Sequence, residues 1–192
     1  AEQCRVAAKH RGGVRITNEG SNYAGNFYLT RWVASAGKQY GAYFGFEPAS
    51  AVDEAGLVAR VYNATASGAN QLHEYIPNAT SSAARLDTLH KNLPYLFHAD
   101  KPVAPVALWY PGVHMTLHWG GFNDKVMQLR DYLDFDYVDE TMLRRHSLRR
   151  YEILIIVHGS VMEAKDAKRI AEWVRHGGHL LVMVVPAFQS VE

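Results

Sequence analysis

The sequence predicts a mixed α/β fold in two blocks, and three features carry that expectation. Short runs rich in β-branched and aromatic residues alternate with stretches of helical periodicity, at roughly thirty residues per unit, which is the layout of parallel β/α structure. Glycine, proline or asparagine punctuates the ends of these runs. A proline-bracketed linker, Lys101-Pro102-Val103-Ala104-Pro105, separates residues 1–101 from residues 102–192.

In the first block, Val14 to Asn18 reads as a short β-branched strand closing on Asn18-Glu19-Gly20. Phe27, Leu29, Trp32 and Val33 recur at helical spacing, which predicts a helix to about Ala36 ended by Gly37. The next strand, Ala42 to Phe46, delivers Glu47-Pro48 at its tip. Asp53 and Glu54 then open a helix to about Ala66, where acids suit the positive end of the helix dipole. Ser67-Gly68 stops it. Asn70 to Tyr75 reads as a third strand, and a helix from about Ser82 to Leu93 leads to Pro94. Three strand units fit part of a (β/α) barrel, since a closed barrel has eight.

In the second block, Val106 to Tyr110 is an apolar strand, Phe122 to Leu133 a helix, and Phe135 to Val138 a short strand. Tyr151 to Val157 is the clearest buried strand. Glu163 to His176 is an amphipathic helix with Ala167, Ile170, Ala171 and Val174 inward, and Gly177-Gly178 caps it. His179 to Val185 is a further continuous apolar strand, ending at Pro186. This order predicts an open, doubly wound, mostly parallel sheet. Neither block is complete on this reading, so the expected cover comes from a longer polypeptide or from another copy.

Composition narrows the function classes. Hydrophobic residues make up 48% and charged residues 20%, which fits a folded globular chain rather than a disordered one. The net charge of +1 and the scattered Lys and Arg give no basis for a nucleic-acid or membrane partner. The dense basic group Arg144 to Arg150 is balanced by Asp134, Asp136, Asp139 and Glu140 just before it. Cys4 is the only cysteine, which excludes an internal disulfide and leaves the compartment undecided. No apolar stretch is long enough to span a bilayer. The sequons at Asn63 and Asn78 carry little weight, because Asn63 falls within a predicted helix.

Glu47 is the residue on which a functional reading turns. A strand that ends in a lone carboxylate, stopped by proline, is how a β/α barrel presents a catalytic acid, although polar residues are common at such junctions. The run Tyr40 to Pro48, followed by a helix and by Ala66 to Tyr75, resembles the last barrel strands of the family 42 β-galactosidases and their relatives. The stretch Tyr151 to Val157, the helix after it, and Trp173 to Val182 are similar to the trimerisation domain of the same enzymes, which has a flavodoxin/amidotransferase-like fold.

The resemblance implies a partial TIM-type barrel followed by that domain. It also implies a retaining glycosidase acting on a terminal β-linked sugar, without a cofactor, in a homo-oligomer or in association with the rest of a larger chain. Glu47 is then the nucleophile. Such chemistry needs a second carboxyl group about 5–5.5 Å away as proton donor. Glu19 is one candidate, since neighbouring strand tips lie about 4.8 Å apart and mutual repulsion would split the two pKa values. Alternatively, Glu19 and Asn18 end the sixth strand and hold substrate, the donor lying upstream, or Glu19 is simply a loop acid. His73, Glu74 and Tyr75 face the same rim as candidate sugar-binding groups.

The remaining candidates divide the same way. Tyr23, Phe44 and Trp109 are either stacking faces for a pyranose ring or core, the second being the commoner use. His114, His118, His158, His176 and His179 lack the spacing of a metal site and read as satisfied surface or loop histidines. Ser160, in the turn His158-Gly159-Ser160, lacks the elbow motif of a serine nucleophile. The rival to an enzyme is a non-catalytic assembly or carbohydrate-binding module whose exposed edges associate.

Overall fold

Strand and helix alternate through both parts of the backbone. The computed structural model describes residues 1–18, 23–48, 53–72, 81–96, 103–118, 120–183 and 189–191. The chain divides into two units, Gln3–Val103 and Ala104–Glu192 with Ala1–Glu2.

The first unit carries α1 (Glu2–Lys9), β1 (Gly13–Asn18), α2 (Tyr23–Tyr40), β2 (Tyr43–Pro48), α3 (Glu54–Ala66), β3 (Gln71–Leu72) and α4 (Ala83–Leu96). Its strands form a parallel sheet in the order β1-β2-β3, so β2 is central. Phe44 and Phe46 of β2 are buried with Phe27, Val33, Leu57 and Val61 from α2 and α3. Residues alternate faces along a strand, so Tyr43, Gly45 and Glu47 point the other way. Asp53 caps α3, its carboxylate accepting from the Gly56 N–H at 2.7 Å.

Two expectations for this unit need correction, and one helix was not anticipated. The first helix, α1, has no counterpart in the sequence reading, which began at Val14. Gly37 does not end α2, which continues to Tyr40. A Cβ at Gly37 would run into the Phe44 ring, so this glycine lets helix and strand approach closely. The chain turns instead at Gly41, whose φ of 68° favours glycine. Pro94 likewise lies inside α4 rather than after it. In the last turn a proline forfeits one backbone hydrogen bond without breaking the body of the helix. The Asn63 side chain is 3% exposed, which closes that sequon to a glycan in the folded chain. Asn78 lies outside the described residues.

The second unit carries β4 (Val106–Trp109), α5 (Gly112–Leu117), α6 (Phe122–Arg130), β5 (Asp136–Val138), α7 (Glu140–Leu143) and a 3-10 turn at Ser147–Arg150. Then follow β6 (Ile153–Ile156), β7 (Val161–Met162), α8 (Ala164–Arg175), β8 (His179–Val182) and β9 (Gln189–Ser190). The main sheet is parallel in the order β5-β4-β6-β8, and β7 pairs with β9 separately. Its core holds Leu108, Trp109, Leu154, Ile156, Phe122, Val126 and Phe135. The architecture is therefore mixed α/β with parallel sheets.

Here too the sequence misleads at particular places. Only Asp166 and Ile170 are buried on α8, whereas Ala167, Ala171 and Val174 are exposed. The inward face is set by Asp166, whose fully buried carboxylate takes Arg144 Nη2 at 2.6 Å and Nε at 3.1 Å. The strand expected to be buried at His179 is exposed along its length, because β8 is the last strand of the sheet among the described residues. Short helices at 112–117 and 140–143 escaped notice, being too brief to show a helical period.

Candidate active site at the tip of the central strand

Glu47 stands one residue from the end of β2, level with Thr17 of β1. Two residues earlier on β1, and on the same face, is Arg15, whose register partner is Gly45. Glycine leaves that lane of the sheet face free of a side chain, so the long Arg15 arm can run over it toward the strand tip. The Arg15 Nη2 reaches Glu47 Oε2 at 2.7 Å, a charge-assisted contact. The Arg15 side chain is 55% exposed and that of Glu47 only 15%.

This arrangement holds a carboxylate in place, on the sheet face opposite Phe44 and Phe46. An anchored carboxylate of this kind suits nucleophilic attack or stabilisation of a developing positive charge. Arg15 escaped the sequence reading. Its signal was present, since a lone arginine in a β-branched strand lies on the same face as the residue level with Glu47.

The other site candidates fall differently. Glu19, His73, Glu74 and Tyr75 lie outside the described residues, as does the side chain of Asn18, which ends β1 opposite Pro48. Phe44 and Trp109 are 3% and 1% exposed, so both are core rather than sugar platforms; the Tyr23 side chain lies outside the described residues.

Among the described residues, no group of three or more His, Cys, Asp or Glu could hold a metal ion. The histidines do not all read as surface groups, however. His114 is buried, and its ring lies 5.0 Å from that of His158 and 5.2 Å from that of His118. His118, His176 and His179 are exposed. The backbone N–H of Ser160 donates to His114 Nδ1 at 3.4 Å.

Neither a protein-family model nor a curated protein sequence matches the chain. Solved structures do. A catalytic mutant of a GH42 β-galactosidase from G. stearothermophilus superposes with a TM-score of 0.65 at 14% identity, over 93% of this chain and 33% of that one. Isoenzyme 2 of the α-L-fucosidase from Paenibacillus thiaminolyticus gives a TM-score of 0.57 at 16% identity, over 83% of this chain and 27% of that one. The fold is similar to that of a stretch of these glycoside hydrolases. The chain spans about a third of the length of the first neighbour and less of the second.

Proposed function

We propose that this chain is the part of a retaining, β-galactosidase-type glycoside hydrolase that carries the nucleophile, Glu47. The observation that supports it most is the Glu47 carboxylate at the tip of the central parallel strand, tied to Arg15 and turned away from the helix-facing core. The likeness in fold to a GH42 β-galactosidase over most of this chain adds to it. In this reading the first unit is the later part of a TIM-type barrel, and the second corresponds to an amidotransferase-like accessory domain. Asn18, His73, Glu74 and Tyr75 then contact the sugar. The proton donor is Glu19 or a residue contributed by further chain.

The mechanism follows from the geometry of two carboxyl groups. Glu47, ionised and held by Arg15, attacks the anomeric carbon as the donor protonates the departing oxygen. The glycosyl ester on Glu47 is then hydrolysed by water activated by the same donor, now a base. Trapping tests this directly. A 2-deoxy-2-fluoro-β-galactosyl fluoride should leave a stable adduct on the peptide that contains Glu47, seen by mass spectrometry, and Glu47→Gln should abolish it. An adduct on another carboxylate, or equal labelling of the Gln variant, would remove Glu47 from the role.

A second reading is supported by a different feature. Leu180, Leu181 and Val182, on the last strand of the second sheet among the described residues, and Met183 just after it are 40–50% exposed. Exposed apolar edges of this kind favour association. If the chain neither turns over any nitrophenyl sugar nor forms an adduct, yet sediments as an oligomer at micromolar concentration, an assembly module is the better description.

A further inference from the structure

The order of strands in the second sheet reverses between β4 and β6, whose carboxyl ends feed the loops at 110–112 and 157–160. In open parallel sheets the crevice at that reversal is where ligands bind. On the β5 side the crevice already holds an anion of the chain's own. Glu140 Oε1 accepts from the Val113 N–H at 3.0 Å, and its carboxylate lies against Gly112. Burial pushes the Glu140 carboxyl above its usual range, with the Val113 hydrogen bond opposing.

Toward β6 the charged groups acting on the rings are, among the described residues, basic. Lys125 Nζ lies 3.4 Å from His158 Nδ1. An ammonium can only donate, so that nitrogen accepts and the ring proton sits on Nε2. The Ser160 N–H donates to His114 Nδ1, which places the His114 proton on Nε2 as well. His158 Nε2 is buried with no hydrogen-bond partner of good geometry among the described residues, although the Gly120 backbone nearby favours the protonated ring.

The charged groups acting on these rings are all of one sign. His158 is held below its usual pKa by burial, then by Lys125 and His114; His114 is held below its own by burial and then by His118. The acid on α6, Asp124, is exposed in the first turn. That helix begins at Gly121, where among the described residues no side chain caps its first N–H groups. The His158 ring lies directly behind this start, 3.1 Å from where a Cβ on Gly121 would be. His118, Gly121 and Lys125 are exposed.

We propose that this rim, formed by His114, His118, His158 and Lys125, is a binding site for a small oxyanion of the phosphate class. Lys125 supplies charge and His118 a ring N–H at the mouth, the start of α6 supplies backbone donors, and the His158 ring N–H beside the Gly120 backbone adds a further donor. A tetrahedral oxyanion suits donors converging from several elements better than a planar carboxylate does. The site is independent of the Glu47 chemistry and lies in the other unit.

Inorganic phosphate titrated into the whole chain should give saturable shifts of the His114 and His158 ring nitrogens in long-range proton–nitrogen NMR spectra. Binding should be tighter at about pH 5 than at about pH 8, because the two rings, held below the ordinary histidine value, gain their charge toward the acid end. Lys125→Met and His118→Asn alter exposed positions, so the fold should be kept, as circular dichroism would verify. Each should weaken phosphate binding roughly tenfold, as expected for loss of a charged hydrogen-bond donor. Shifts that do not saturate, binding in either variant as tight as in wild type, or acetate binding as tightly as phosphate would overturn the proposal.

Discussion

At the scale of single residues, two arginine–carboxylate pairs with similar distances have different physical meanings. Arg15 is mostly in water, and an exposed pair of this kind contributes about 0–1 kcal/mol once screening and side-chain entropy are counted. Its place on a polar sheet face therefore says more about holding Glu47 than about stability. Arg144 holds Asp166, which is fully buried, and removing one partner of a buried pair leaves an uncompensated charge. Glu163 also binds Arg144, at 2.7 Å, and its carboxyl is drawn below the usual range first by Lys165 and then by Arg144. Arg144→Ala should cost about 2 kcal/mol, below the ~3–5 kcal/mol of a wholly buried pair, because water reaches Arg144 and Arg169 stays near Asp166. Urea unfolding of the two single variants checks the contrast. Arg15→Met should move the midpoint little, and equal losses would contradict this assignment.

At the scale of elements, glycines show how far local sequence rules reach. Gly37 and Gly41 are both candidate helix ends in the sequence, and only φ and packing tell them apart. Gly37→Ala places a methyl group against the Phe44 ring and should destabilise by about 1–3 kcal/mol, the usual range for overpacking. Gly41→Ala meets open space and costs roughly 1–2 kcal/mol for its left-handed backbone alone. A third change, Phe44→Leu, separates them: it should relieve the cost at Gly37 and leave that at Gly41 unaltered in thermal melts. Most strands and long helices were legible for a simple reason. Their apolar period is local, as in β6 and α3, and caps such as Asp53 mark their starts. The misread parts depend on tertiary partners. The inward face of α8 is fixed by an arginine twenty-two positions before Asp166, and β8 is exposed because of its place in the sheet order. At the site, Glu47 could be read from its strand and proline, whereas Arg15 needed the register of β1 on β2.

At the scale of the whole molecule, the buried titratable groups of the second unit make stability depend on pH in opposing ways. His114 and His158 have pKa values depressed by folding, so their neutral forms are favoured. Their contribution is present above the unfolded value of about 6.5 and is lost as pH falls through the folded values. Glu140 has a raised value, so its contribution is present below the unfolded value of about 4.3 and is lost as pH rises through the folded one. Around neutrality the two effects oppose each other, but on acidification from about pH 7.5 to about pH 5.5 the pair of histidines acts in concert and should dominate. The melting temperature should fall over that interval, and His158→Gln should flatten the fall. Glu140→Gln should instead raise the melting temperature most at the upper end. The buffer matters to this measurement, because an oxyanion bound beside His158 would stabilise the protonated cluster by mass action. A phosphate-free titration should therefore show the steeper acid loss, and identical melting curves at both pH values for wild type and His158→Gln would sink the account.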